Sequence, residues 1–289
     1  MPDYARRPEW LKLIPLDPTA LSGMRKLTRH LKLHTVCESA RCPNRPKCFA
    51  EGTATFMILG DICTRNCTFC AVKKGSPLAP DPQEPEHIVE AVKELELQYV
   101  VITSVTRDDL PDGGASHFAQ TIKALQSYDA GISVEVLIPD FRGSLPALQT
   151  VIDASPTVLN HNVETVPRLY PEVRPEANYR YSLELLKQAK MLKSRLVTKS
   201  GLMLGLGETQ QEVIEVMSNL REANCDLLTI GQYLQPSLRH HKVVRYAPPE
   251  EFEEYQDMGR EMGFTSVISA PLVRSSFHAA ETYLLAKGD

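Results

Sequence analysis

From residue 53 onward, short apolar runs alternate with longer amphipathic stretches. The runs at 55–59, 99–105, 132–138, 157–159, 198–204, 227–233 and 266–270 predict strands, and the stretches at 85–97, 114–128, 144–154, 182–193, 210–223 and 249–262 predict helices. The best-formed helix is 210–223, where Val213, Val216, Met217 and Leu220 make one stripe with acids and amides opposite. Strands alternating with helices imply parallel βαβ units. Six repeats and a seventh short run suit an α/β fold of the full or partial TIM-type, a (β/α)6 barrel, with a doubly wound sheet as the alternative. In either architecture the active residues belong on loops after the strand C-termini. The cysteine-bearing loop at 63–70, after the first strand, and Gly205-Leu206-Gly207-Glu208, after the fifth, both obey that rule.

The first 52 residues carry no sustained period, only scattered prolines, two cysteine-rich turns and an amphipathic stretch at 19–31. The expected organisation is therefore an irregular N-terminal extension (1–52), a barrel (53–270) and a C-terminal extension (271–289). Composition changes this little: 43% of the residues are apolar, enough for a sizeable core, and the net charge of −4 points to neither nucleic acid nor membrane. No apolar window has transmembrane length, and residues 1–14 lack the apolar core of a secretory signal, so a soluble cytoplasmic protein is expected. A monomer is expected too, because no long apolar surface stretch is evident.

Cysteine usage is the informative part of the composition. Six of the seven cysteines fall between Cys37 and Cys70, which resembles no secreted disulfide framework and points to metal or catalysis. Cys63, Cys67 and Cys70 form C-x3-C-x2-C, gaps that let three thiolates converge on one cubane cluster and leave its fourth iron open to a chelating ligand. A zinc knuckle is the competing reading, but zinc asks for a fourth protein ligand and usually for two separated pairs. Cys37, Cys42 and Cys48 form C-x4-C-x5-C, which fits zinc or an iron–sulfur cluster; the neighbouring loop favours the cluster. Cys225, between a helix and a strand, reads as a small core residue.

C-x3-C-x-aromatic-C, here with Phe69, resembles the radical S-adenosylmethionine superfamily. Together with the upstream triad and Arg274-Ser275-Ser276-Phe277-His278-Ala279, the chain resembles the lipoyl synthase family nearly end to end. The likeness includes Thr103-Ser104-Val105-Thr106-Arg107-Asp108-Asp109-Leu110, Asp112-Gly113-Gly114, Asn160-His161-Asn162-Val163-Glu164-Thr165 and Val173-Arg174-Pro175. It extends through Lys199-Ser200-Gly201-Leu202-Met203-Leu204-Gly205-Leu206-Gly207-Glu208 and Tyr233-Leu234-Gln235-Pro236-Ser237. One departure is Phe277, where the family usually has tyrosine.

The resemblance implies two [4Fe–4S] clusters, S-adenosylmethionine and sulfur insertion at two unactivated carbons of a protein-bound octanoyl chain. Cys63, Cys67 and Cys70 would hold the cluster that reduces S-adenosylmethionine to a 5′-deoxyadenosyl radical, strong enough to take hydrogen from such a carbon. Cys37, Cys42 and Cys48 would hold an auxiliary cluster, the sulfur donor, with Ser276 as its fourth ligand and Ser275 as second choice. An alkoxide matches an iron–sulfur cube poorly, so that iron should be the easiest to lose. Asp112, Gly113 and Gly114 are the expected contact to the methionine ammonium, or else a plain turn before a helix. Gly201-x3-Gly205-x-Gly207-Glu208 is not a dinucleotide fingerprint; Gly205, Gly207 and Glu208 are expected at the adenosine edge. Phe69 and Thr103 join the cofactor-binding set, and Glu135, Asn160, Asn162 and Arg174 are expected at strand ends facing the mouth, as ligand contacts or satisfied loop polars. The implied partners are an octanoylated lipoyl carrier domain, either 2-oxoacid dehydrogenase E2 or glycine cleavage H protein, and an electron donor such as ferredoxin or flavodoxin. A basic run of Arg239, His240, His241, Lys242 and Arg245 is either a solvated face or a docking aid for an acidic carrier. Related two-cluster enzymes, a biotin-type sulfur inserter or a methylthiotransferase, fit the motif order less well.

Overall fold

The computed structural model describes residues 7–12 and 18–287. Readings that fall on residues 1–6, 13–17 and 288–289 lie outside the described residues. The helix α1 (Pro18–His30) leads to β1 (His34–Thr35), the short helices α2 (Val36–Ser39) and α3 (Arg45–Ala50), and β2 (Thr55–Ile58). A two-stranded ribbon, β3 (Ile62–Cys63) with β4 (Lys73–Lys74), brackets the cysteine loop. Strands and helices then alternate: α4 (Glu84–Glu94), β5 (Tyr99–Ser104), α5 (Ala115–Tyr128), β6 (Ser133–Leu137), α6 (Leu145–Asp153) and β7 (Val158–Asn160). They continue with α7 (Tyr170–Val173), α8 (Tyr179–Leu192), β8 (Val197–Leu204), α9 (Gln210–Glu222), β9 (Leu227–Gln232), α10 (Pro249–Glu261), β10 (Ser266–Ser269) and α11 (Ala279–Lys287).

The main sheet runs β1-β2-β5-β6-β7-β8-β9-β10. Every pair in it is parallel except β1–β2. A doubly wound sheet reverses its strand order at a switch point; here the order is sequential throughout. The sheet therefore wraps one way, with six βα units and a final strand, and its two edges belong to β1 and β10. That is a partial barrel. Its strands are apolar runs because both faces are covered: all of β2, β7 and β9 is buried. Helix α9 buries Val213, Val216, Met217 and Leu220, the stripe its period predicts, and Thr209 with Glu212 forms a capping box at its start. At the other end of the chain, Tyr283 on α11 packs on Val158 and Leu227, the first residues of β7 and β9, and lies 5.9 Å from the Tyr99 ring. It covers the N-terminal end of the strands. Among the described residues no helix is long and apolar enough to cross a membrane.

Candidate active site: two cysteine triads at one mouth

The 63–70 loop is held by the residues between its cysteines. The Thr64 backbone N–H and hydroxyl both donate to the Thr106 carbonyl, after β5. Arg65 makes two forked contacts, Nε to Asp108 at 2.7 Å and Nη2 at 3.0 Å, then Nη1 to Asp140 at 2.8 Å and Nη2 at 2.6 Å. Asp108 follows β5 and Asp140 follows β6, so one buried guanidinium ties the loop to two barrel strands. Asn66 donates its backbone N–H and side-chain amide to the Glu176 carboxylate. Thr68 donates to the Val173 carbonyl at 3.0 Å and accepts from the His241 N–H at 2.9 Å. Burial alone would push the Asp140 carboxyl up, but the Arg65 hydrogen bonds and charge outweigh it and hold the group at about 2.

Within each triad the thiols feel one another. Burial, reinforced by neighbouring thiols, pushes Cys70 up to about 12, and it raises Cys67 as well. Burial first, then Cys42, pushes Cys37 up to about 12 and Cys48 up to about 11. Such thiols stay protonated at neutral pH until a soft metal displaces the proton. Three mutually close soft donors per group suit iron–sulfur clusters. Cys225 is fully buried, with its thiol donating to the Leu227 carbonyl at 3.3 Å, and is a core residue.

Cys37 lies on α2, Cys48 on α3 and Cys42 in the turn between. The segment after β10 folds onto this group. Asn44 Nδ2 donates to the Leu272 carbonyl at 2.7 Å, Lys47 Nζ donates to His278 Nε2 at 3.1 Å, and the same ammonium sits 5.2 Å from the Phe277 ring centre. The half-buried Arg274 lies within electrostatic reach of Cys42 and Glu164. Ser275 Oγ accepts from Asn162 Nδ2 at 3.1 Å, and half-buried Ser276 follows it. The C-terminal motif is thus brought to the N-terminal triad, and Asn162 connects it to the barrel mouth.

At the mouth, several buried polar atoms have no protein partner. Asn160 donates Nδ2 to Glu135 and Asn162 donates Nδ2 to Glu164, which leaves both Oδ1 atoms unpaired. Arg174 spends Nη1 on the Asn162 and Val163 carbonyls and the Tyr170 hydroxyl, and its Nε is unpaired. Buried polar atoms are rarely left unpaired, and these lie at the C-terminal end of the strands, where ligands bind in such barrels. Glu164, held at φ 65°, touches the fields of both sites: it neighbours Cys67 and Cys70 on one side and Arg274 on the other. Nothing in the sequence around Glu164 marks it for this place.

One expected position differs. Glu135 lies in the middle of β6, not at its end, and is fully buried; Tyr99, Asn160 and Lys199 all donate to its carboxylate. It is consumed by an internal network. Glu208 folds back to accept the backbone N–H groups of Gly205, Leu206 and Gly207, so it shapes its own loop. Asp112 accepts the N–H groups of Gly114 and Ser116 at the start of α5. Gly113 and Gly114 have φ of 62° and 92°, and a Cβ on Gly114 would lie 2.3 Å from Leu59. A turn and close packing account for both glycines. The residues that directly end the second barrel strand are Thr103 and Ser104: Thr103 donates to the Leu137 carbonyl, and the buried Ser104 hydroxyl is unpaired. Phe69 is half-buried and packs against the main core. Gly205 passes at φ 97° under the Arg245 carbonyl, which a Cβ would meet at 2.5 Å.

A partial barrel with a C-x3-C-x2-C loop after its first strand defines the radical S-adenosylmethionine class. The profile described as Radical SAM superfamily matches residues 57–220. The fold agrees: HydG, a maturase of the [FeFe]-hydrogenase, superposes with TM-score 0.60 at 14% identity, over 80% of this chain and 53% of that one. Streptococcus suis SuiB bound to S-adenosylmethionine superposes with TM-score 0.58 at 14% identity, over 88% of this chain and 60% of that one. This chain spans little more than half the length of those two. The superfamily's [4Fe–4S] cluster and S-adenosylmethionine are therefore its cofactors. More narrowly, the chain is 56% identical to the lipoyl synthase of Caldanaerobacter subterraneus subsp. tengcongensis, over 98% of this chain and 99% of that protein. It is 58% identical to the lipoyl synthase of Aquifex aeolicus, over 91% and 96%. The chain belongs to the lipoyl synthase family.

Proposed function

We propose that this protein inserts sulfur at C6 and C8 of an octanoyl chain held on a lysine of a lipoyl carrier domain. When bound, the cluster on Cys63, Cys67 and Cys70 supplies the electron that cleaves S-adenosylmethionine, and a second [4Fe–4S] cluster on Cys37, Cys42, Cys48 and Ser276 supplies the sulfur. The observation that carries this reading is the 272–278 segment folded against the N-terminal triad, with Arg274 beside Cys42 and Asn162 bonded to Ser275. The chain's own residues bind and orient. The 63–70 loop is fixed by Thr64, Arg65, Asn66 and Thr68; Asn160 and Asn162 offer fixed acceptors, and Arg174 Nε and Ser104 offer further polar contacts. Phe277 lacks the hydroxyl usual at that position, and its ring is held between Lys47 and His278 instead. The carrier is E2 or H protein, the electron donor is ferredoxin or flavodoxin, and the setting is the cytoplasm.

Anaerobic reconstitution tests this, with about eight irons per chain expected from two cubanes. Reductant, S-adenosylmethionine and octanoylated carrier should give lipoyl product and 5′-deoxyadenosine. Replacing Cys63, Cys67 or Cys70 by Ala should abolish both products. Replacing Cys37, Cys42 or Cys48 should retain deoxyadenosine and abolish sulfur transfer. Deoxyadenosine without lipoyl product from the unmodified protein would overturn the substrate assignment.

A further inference from the structure

We infer that the rim segment 237–244 is a docking surface for the acidic face of the carrier domain that presents the octanoyl-lysine, an inference that rests on the activity proposed above. No acidic residue occurs between Asp226 and Glu250, although the whole chain carries a net charge of −4. The structure divides the basic run within this stretch into two groups. Arg245 is committed to Glu251, with Nη2 at 2.7 Å from Oε1, and lies 3.5 Å from Glu208. His241 is turned inward, its Nε2 on the Leu206 carbonyl at 3.1 Å, and His240 pairs with the Ser237 hydroxyl at 2.8 Å. Arg239 and Lys242 are exposed, and neither has an ion-pair partner among the described residues. Leu238 and Val244 on the same segment are 73% and 60% exposed.

This segment has no helix or strand of its own, yet it is anchored. The His241 N–H donates to the Thr68 carbonyl of the radical loop at 2.9 Å, and the Tyr233 hydroxyl donates to the His241 carbonyl at 2.7 Å. Arg41, beside Cys42, donates Nη1 to the Pro236 carbonyl at 3.2 Å. The segment therefore spans from one cysteine triad to the other along the rim. An eight-carbon chain on a lysine is short, so a carrier that places it between the triads has to rest its own surface on that rim. Unpaired cations there steer an acidic partner, and the two exposed apolar side chains supply the contact that exclusion of water rewards.

The test uses the full chain and its Arg239→Glu/Lys242→Glu variant, with octanoylated H protein and a short octanoyl-lysine peptide as probes. Binding of H protein is measured by titration at low and moderate salt without reductant, and turnover is measured on both probes. Charge reversal at two rim positions should weaken H-protein binding about tenfold or more at low salt and flatten its salt dependence. Peptide turnover should be unchanged, which also shows that the variant is folded and carries its clusters. Unchanged carrier binding, or an equal loss on carrier and peptide, would overturn the docking surface. Salt-dependent carrier binding that the variant loses, without lipoyl product from the unmodified protein, would support the docking surface and overturn the activity instead.

Discussion

Arg65→Gln should destabilise the iron-free protein by about 3–5 kcal/mol at neutral pH, because it removes one cation from the buried Asp140 and the half-buried Asp108 carboxylates. Asp140 is 2% exposed and the Asp108 side chain 13%; Arg65 gives each two hydrogen bonds, while Arg142 adds only its N–H to Asp140 and an exposed guanidinium 3.3 Å from Asp108. The loss should depend on pH in a defined direction. With Arg65 present, the folded Asp140 carboxyl sits at about 2 against an ordinary 3.8, so its contribution is complete above about 3.8 and is lost as pH falls towards 2. That shift corresponds to roughly 2 kcal/mol, about half of the expected loss. In the variant, only the Arg142 N–H and the smaller influence of His161 still oppose burial, so the folded carboxyl rises and most of this pH-dependent contribution disappears. The gap between the two proteins should be small near pH 3 and widen towards pH 6. Urea unfolding of both iron-free proteins, followed by circular dichroism across that range, measures it. Arg65→Gln/Asp140→Asn should recover part of the loss, since it removes the stranded charge. A gap below about 1 kcal/mol that stays flat with pH would refute the clamp.

Three other perturbations follow from the same structure. Lys199→Met strands the fully buried Glu135 carboxylate and should cost roughly 3–5 kcal/mol in thermal melts, while Lys199→Met/Glu135→Leu should regain most of it. Burial first, then the charge of Arg174, holds His161 at about 4 against 6.5, so the unfolded chain takes a proton that the folded one declines. Stability should therefore fall by up to about 3 kcal/mol as pH drops from 6.5 to 4, and His161→Gln should flatten that slope. Gly205→Ala places a Cβ 2.2 Å from Gln232 Nε2 at φ 97° and should cost roughly 2–4 kcal/mol, whereas Gly52→Ala, at φ 68° with open space, should cost about 1; paired melts check the difference.

The barrel was legible because parallel strands covered on both faces are apolar runs, and helices such as α9 carry an unbroken stripe. The strand β1 was not legible: two residues, His34 and Thr35, have no period, and only their pairing with Met57 and Phe56 makes them a strand. The cysteine triads were legible because thiols so closely spaced in sequence have few other uses. Their neighbours are harder to assign, because one residue type serves two needs. A glycine at positive φ looks the same whether a ligand or Leu59 requires the space beside Gly114. A carboxylate near a strand end looks free until Glu208 is seen to hold its own loop, and Glu135 to hold Lys199, 64 residues away.

The spacing of Cys63, Cys67 and Cys70 treats the residues between them as interchangeable, and the structure contradicts that. Spacing permits three sulfurs to converge without obliging them to. A free eight-residue loop would lose conformational entropy on ordering, roughly 1–2 kcal/mol per residue, before any cluster arrived. Thr64, Arg65, Asn66 and Thr68 oppose that cost, and their partners come from separate parts of the barrel: Thr106 and Asp108 after β5, Asp140 after β6, Val173 and Glu176 beyond β7, and His241 beyond β9. The loop conformation is therefore set by the arc of strands as much as by the motif. A C-x3-C-x2-C segment with other intervening residues would keep its ligands and lose this anchoring. Transplanting only the three cysteines should thus give a loop that takes up iron slowly and releases it readily to a chelator, while transplanting the loop with its Asp108 and Asp140 partners should restore retention.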